Sequence, residues 1–475
     1  MCFLKFELNK EVKSRYIDFV KNTFDFPKEE FAIEQNELLF HGVSLMKIIE
    51  KYGTPLKITY LPKIHKQITQ ARKWFHDAIK SNNYQGKYFY SFSTKSSHFS
   101  FVIEQVLKAN AHIEISSAFD INIIKHLYNK GLFDKRNFIL CNGFKQEEYI
   151  KNIQWLLNHN FVNTIPILDN LSEIELYRNQ ITNKPLNIGI RVATKESEKK
   201  SFHTSRLGIC YDDILPFVNK EIKYLKNFKL KMLHFFIGTG VKDTEDYWSE
   251  LIENIHLYCK LKKTNPDLQY LNIGGGLPIR NVLFHNCNYP NVINKTVKQI
   301  KTICKSYNIP DPDIFTEYGN YTVGESMINI YTVINQKKQN NQELWNIING
   351  SLLTTLPDIW ATKQRYILLP VNQWDKPYER IFLGGLTCDN EDYYDKEGHS
   401  NTIFLPQFND KEKLHIAFLY TGAYQEALSG YGGIKHCLIP SPKHILVDKN
   451  KQGKIITQLF AKEQSYHSML KILGF

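Results

Sequence analysis

A lysine and a glutamate stand out in this sequence because each closes or follows a short apolar run. Lys95 lies in Ser93-Thr94-Lys95-Ser96-Ser97-His98, and Glu317 in Thr316-Glu317-Tyr318-Gly319-Asn320. A lysine enclosed by apolar surroundings has a lowered pKa and becomes an amine nucleophile able to form a Schiff base. A carboxylate facing it can hold a cation. Each has a plainer reading on spacing alone, a solvated loop lysine and a helix-capping acid. Gly274-Gly275-Gly276 ends another run; three glycines let backbone N–H groups close on an anion with no side chain in the way. Glu114 opens a stretch, Glu114–Asp120, that gathers carboxylates and small hydroxyls, and Cys141-Asn142-Gly143 follows a further run. A lone cysteine is usually a small buried hydrophobe. Cys388 differs from the others by lying in a polar, acidic, glycine-flanked loop, residues 384–392.

The elements that must position these residues can be read from the apolar pattern. Short runs rich in β-branched and aromatic residues occur at Lys87–Ser93, His112–Ser116, Phe138–Cys141, Thr164–Asp169, Asn187–Val192, Lys231–Ile237, Gln269–Ile273 and Asp313–Glu317. Each reads as a buried strand. Between them, stretches such as Phe99–Ala109 and Tyr247–Lys263 carry apolar residues at helical spacing. Eight strand–helix units in series predict an α/β chain with a closed (β/α)8 TIM-type barrel, and a doubly wound open sheet is the alternative. A barrel puts chemistry just past the C-terminal strand ends and often a phosphate site after strands seven and eight. Lys95, Glu114, Asn142, Gly274–Gly276 and Glu317 fall at those positions. From about Val323 the rhythm changes to strand-like runs at Arg365–Val371, Arg380–Leu383, His415–Tyr420 and His444–Val447. This predicts a mostly β second domain. The expected division is residues 1–55 joining the β domain through Phe31–Phe40, residues 56–325 as the barrel and residues 326–475 as the β domain.

The chain has 475 residues, 43% hydrophobic and 23% charged, ordinary values for a globular protein. Mean hydropathy is −0.37. No run approaches the length of a membrane span, and the N-terminus lacks the apolar core of a signal peptide. The eight cysteines are scattered without a Cys-x-x-Cys pair, against a zinc ribbon or a disulfide framework. No metal ligands are assigned, and a reducing cytoplasm is the expected compartment. The net charge of +12 is spread along the chain, with no nucleic-acid-binding motif. Neither nucleic acid nor a membrane is an expected partner.

The ordered pieces resemble the barrel-type pyridoxal-phosphate (PLP) decarboxylases, most closely the biosynthetic arginine decarboxylases. They are YGTP at Tyr52–Pro55, Lys95, CNGFK at Cys141–Lys145, SRLG at Ser205–Gly208, LHFFIGTG at Leu233–Gly240, NIGGG at Asn272–Gly276, TEYG at Thr316–Gly319, LTCD at Leu386–Asp389 and GAYQE at Gly422–Glu426. CNGFK and GAYQE carry the likeness to the arginine enzymes. The resemblance implies that Lys95 holds PLP and that Glu317 faces the pyridine nitrogen and keeps it protonated. Gly274, Gly275, Gly276 and Tyr424 would hold the phosphate, with Glu114, Arg191, Ser205, His234 and Phe236 completing the cofactor's surroundings. Cys388 would return a proton to the substrate, while Asp389 and Asp392 meet its cationic end. In the family, Cys388 and Asp389 come from a neighbouring subunit, which implies a homodimer or higher homo-oligomer. The implied reaction is decarboxylation of a basic amino acid, arginine to agmatine, in polyamine synthesis. Magnesium enters as an optional activator, although no residue cluster in the sequence forms a site for it.

The chain departs from the family twice. Phe236 replaces a histidine that stacks on the cofactor, and Asn320 replaces a phosphate-binding arginine. A ring face remains in one case and an amide in the other, without charge. Rival readings are a sister enzyme acting on diaminopimelate, ornithine, lysine or carboxynorspermidine, a non-catalytic homologue that binds partners, and a nucleic-acid-binding protein.

Overall fold

The computed structural model describes residues 27–180, 185–193, 206–238, 240–241, 244–280, 287–340, 343–398 and 400–475. All eight expected barrel runs are strands: β1 (Tyr88–Ser93), β2 (His112–Ile115), β3 (Ile139–Cys141), β4 (Thr164–Leu168), β5 (Leu186–Arg191), β6 (Phe228–His234), β7 (Tyr270–Asn272) and β8 (Asp313–Glu317). They close into one barrel, with β8 pairing β1 in parallel. The open-sheet alternative is therefore excluded.

β4 and β8 are buried along their whole length, which explains their unbroken apolar character. Phe138, Leu140, Ile165, Ile167, Met232 and Phe315 form a separate buried cluster, with Phe89 and Tyr270 against it. Phe89 and Phe315 stack at 4.6 Å between ring centroids. These residues come from strand starts and middles, so the C-terminal rim is left to polar groups. The outer helices show the expected stripes. Leu61–Ser81 has Pro62 in its first turn and buries Ile64, Ile68, Ala71, Phe75 and Ala78 along one face.

The remaining strands build the second, mostly β region. Its central strand is Leu56–Tyr60, between Met327–Gln339 (antiparallel) and Lys443–Lys449 (parallel). All five of its residues are buried, and Lys57 pairs with Glu426, which ties it to this sheet. Tyr331, Ile348, Leu383, Leu405 and Phe418 belong to this region's own core. Phe31–Glu34 and Glu37–Phe40 form a small sheet with Val43–Ser44. The amide of Leu38 donates to Val371 O (2.7 Å), fastening this small sheet to the second region. Among the described residues, no helix is long and apolar enough to cross a membrane.

Candidate active site

β1 ends at Ser93 and turns at once through a 3-10 helix, Thr94–Ser96, that carries Lys95 on the barrel rim. Ser96 Oγ donates to Ser93 O (2.8 Å), and Thr94 Oγ1 donates to Glu114 O (3.1 Å), fixing the turn against β2. Lys95 Nζ then lies 3.3 Å from Glu114 Oε2. Half of the lysine side chain faces the cavity, whereas Glu114 is fully buried. Burial opposes the ammonium charge, but the carboxylates of Glu114 and then Glu317 prevail, and the amine's pKa is raised. The sequence had pointed to a lowered value; two acids supplied by other strands reverse the sign.

Two carboxamides and two carboxylates link the strand ends. Asn142 Nδ2 donates to Glu114 Oε1 (2.9 Å) and to both oxygens of Glu317 (3.0 and 3.1 Å). Asn272 Nδ2 donates to Glu317 Oε1 (2.6 Å). Burial, and next the charge of Glu114, push the Glu317 carboxyl up to about 7, against the opposing pull of Lys95 and the two amides. His234 Nε2 is 3.6 Å from Glu317 Oε2. Burial first, then Arg191 and Lys95, hold this imidazole well below its ordinary range, so it is neutral.

These groups surround one cavity of about 1100 Å³ at the C-terminal end of the barrel. Lys95, Arg191, His234, Phe236, Gly275, Gly276, Glu317 and Tyr424 all line it. Glu114 sits beneath Lys95. Gly274 supports the floor: its N–H donates to Asn272 Oδ1 (3.0 Å), and its carbonyl accepts from Glu317 N (2.9 Å). Gly274 and Gly276 have φ of +70° and +90°, and a Cβ on Gly275 would lie 2.5 Å from Glu317 O. Glycine is therefore required where the chain turns under the rim. Tyr424 comes from the second region, and its N–H donates to Ser96 O (2.8 Å) beside Lys95.

The remaining expected residues stand elsewhere. Ser205 lies outside the described residues. Cys388 is exposed, and its Sγ is 3.6 Å from that of Cys437. Asp389 Oδ2 is 3.7 Å from His436 Nε2. Neither Cys388 nor Asp389 lines this chain's own cavity. Asp392, expected at the substrate, is buried and has a structural task instead. Its oxygens accept from Leu352 N (2.8 Å), Leu353 N (3.0 Å), Thr387 N (3.0 Å) and Thr387 Oγ1 (2.7 Å).

Asn142, Asn272 and Arg206 lie inside the motifs CNGFK, NIGGG and SRLG, which by themselves assign them no role. The two asparagines hold Glu317, and Arg206 lines the cavity, as Arg191 does. For the asparagines, their position at strand ends was the available signal. Conversely, the motif side chains Lys145, Gln425 and Glu426 are structural: Lys145 is fully buried, donates to Ile167 O and lies 3.5 Å from Glu173. Gln425 Nε2 donates to Asp358 Oδ2 (2.6 Å), and Glu426 pairs with Lys57.

Comparison with known proteins agrees with this geometry. The biosynthetic arginine decarboxylase of Citrifermentans bemidjiense is 21% identical, over 86% of this chain and 82% of the relative. That of Vibrio vulnificus is 20% identical over 91% and 86%. The solved biosynthetic arginine decarboxylase from Campylobacter jejuni superposes with a TM-score of 0.80 at 20% identity, covering 95% of this chain and 90% of that one. A diaminopimelate decarboxylase from M. jannaschii, solved with L-lysine, gives a TM-score of 0.75 at 16% identity, covering 93% and 97%. The family described as pyridoxal-dependent decarboxylase, pyridoxal binding domain, matches residues 62–324, more than half of the sequence and the whole of the barrel. The chain belongs to the pyridoxal-dependent decarboxylase family.

Proposed function

We propose that this protein removes the α-carboxylate of a basic L-amino acid, arginine above all, using pyridoxal phosphate held in the barrel cavity. The observation that carries the reading is that Lys95 and Glu317 line one cavity whose floor is the Gly274–Gly276 turn. The residues present fit the cofactor. Asn142 Oδ1, Arg191 Nε and His234 Nδ1 are buried without a hydrogen-bond partner, a cost that a polar ligand removes. The glycine turn leaves room for an anion against backbone, and Arg206 adds positive charge to the cavity lining in a chain where Asn320 supplies none.

When bound, pyridoxal phosphate supplies an aldehyde for amines and a ring that draws electrons from the substrate's α-carbon. Lys95 Nζ is the amine that anchors it, with Glu114 holding the proton of that amine until anchoring. Glu317 keeps a proton at the bottom of the cavity, where Asn142 and Asn272 fix both of its oxygens. His234 is a neutral, buried wall that adds no competing charge. Phe236 offers a ring face in the cavity where the family has a histidine. Tyr424 and the glycine turn hold the phosphate.

A guanidinium substrate needs a carboxylate of its own. Among the described residues lining the cavity, Glu317 is the only acid, and it is occupied by two asparagines. Asp389, and Cys388 as the group returning a proton to the α-carbon, are therefore supplied by a second copy of the chain. A homodimer, a cytoplasmic setting and a division into domains near residue 325 belong to the same reading. Among the described residues, the grouped metal-ligating side chains are Cys388, His436 and Cys437, a thiol-rich set that does not suit magnesium. Incubating the purified protein with pyridoxal phosphate and arginine, ornithine, lysine or diaminopimelate tests it. Release of CO2 with agmatine as the main product is the expected result, and turnover of another amino acid at higher kcat/KM rejects arginine as the substrate.

A further inference from the structure

We propose that Cys388, His436 and Cys437 form a binding site for a soft divalent metal ion, Zn2+ in the first instance. His436 and Cys437 are adjacent in sequence and Cys388 is remote from them, and the fold brings one ligand atom of each within 4.8 Å of the others. The sulfurs of Cys388 and Cys437 are 3.6 Å apart. Two thiolates on one tetrahedral Zn2+, each at about 2.3 Å, are separated by roughly 3.8 Å. The pair is thus already close to the spacing that a metal imposes. An imidazole as third ligand leaves a fourth position for water or another donor.

Both thiols are held there by their own backbone. Asp392 fastens the Cys388 loop through the amides of Thr387, Leu352 and Leu353. Cys437 and Leu438 have φ of +54° and +53°, the left-handed region that side-chain-bearing residues seldom occupy. Such backbone persists where surrounding structure fixes it and is frequent at ligand sites. Asp389 Oδ2 lies 3.7 Å from His436 Nε2, in reach to orient the imidazole as carboxylates do behind metal-bound histidines. All three ligands are exposed on the single chain. Binding is a simple exchange: two S–H protons leave to water as two S–Zn bonds form. The scattered cysteines argue only against a zinc ribbon or a disulfide framework, and no metal ligands follow from the sequence; a contact between residues 388 and 437 carries no local sequence signature.

A consequence rests on the proposed role of Cys388. A sulfur bonded to zinc cannot deliver a proton, so zinc would inhibit decarboxylation. The test uses the full-length, cofactor-loaded enzyme, reduced and then freed of reductant. Titration with Co2+ alone should give a thiolate-to-cobalt charge-transfer band in the difference spectrum, saturating at one ion per chain and displaced by Zn2+. Cys437→Ser should abolish the band, and His436→Ala should weaken Zn2+ binding at least tenfold. Absence of the band while both thiols react with a thiol reagent overturns the site, as does a band unchanged in Cys437→Ser. Zinc should also stop turnover reversibly, with a chelator restoring it and Cys437→Ser resisting it. A band without inhibition leaves the metal site standing and removes Cys388 from the proton-transfer role.

Discussion

Lys95 Nζ stands 3.3 Å from Glu114 Oε2, so the amine that must attack an aldehyde is stored as an ammonium ion. Burial works against that charge, and Glu114 followed by Glu317 overcomes it. Only the neutral amine is a nucleophile. Capture of pyridoxal phosphate by cofactor-free protein should therefore accelerate as pH rises from about 7 to about 10. Glu114→Gln removes the largest stabiliser of the ammonium, lowers the amine's pKa and moves the profile towards lower pH. Stopped-flow growth of visible absorbance reads both curves. Superimposable profiles would exclude Glu114 as the cause.

Glu317 makes the opposite use of burial. Its carboxyl titrates at about 7 in the folded, cofactor-free protein and near the model-peptide value of about 4.3 when unfolded. The unfolded chain gives up this proton first. Ionisation thus lowers stability progressively between those values, and the loss is complete above about pH 7. Glu317→Gln should raise the melting temperature of cofactor-free protein at pH ~8 by a few degrees, with the difference vanishing below pH ~4. The same variant should lose at least tenfold in kcat, about 1.4 kcal/mol of barrier, because it no longer presents an acid to the bound ring. A melting temperature unchanged at alkaline pH would count against the raised carboxyl.

Gly275→Ala introduces a Cβ 2.5 Å from the carbonyl oxygen of Glu317. Backbone cannot swing aside as a flexible side chain can, and overpacking of this kind costs about 1–3 kcal/mol. The turn below the cavity should shift, weakening pyridoxal phosphate binding by roughly 10- to 100-fold. Equilibrium dialysis of the cofactor measures this. An unaltered affinity would place the phosphate elsewhere.

Mixing subunits tests whether two copies share a site. Lys95→Ala and Cys388→Ala proteins should each show little activity. After unfolding and reassembly together, random pairing into two-fold dimers should restore about a quarter of wild-type activity, since half of the dimers carry one intact site. No recovery, with mixed dimers verified by mass, would mean that each chain supplies both residues.

The barrel was legible because each of its strands is a local apolar run followed by a local helical pattern. β8 could be bounded to the residue from Asp313–Glu317 alone. Strand-end placement likewise exposed Lys95 and Glu317. The sign of the Lys95 shift was not legible, because it depends on how closely a second and an eighth strand approach the first. Asn142 was visible within CNGFK, but nothing local says that one amide touches two acids from different strands. Asp392 looked like part of an acidic substrate-binding run. Besides nearby Thr387, its partners are amides some forty residues earlier, and only the folded chain reveals them.

The pairing of Leu56–Tyr60 with both Met327–Gln339 and Lys443–Lys449 sets a timetable for biogenesis. A strand translated early has to wait for partners translated after the barrel, so its five buried residues remain unsheltered while the barrel is being made. Tyr424, which closes the rim next to Lys95, arrives in the same late stretch. A nascent chain can therefore complete its barrel yet become competent to retain its cofactor only once these later strands have been made.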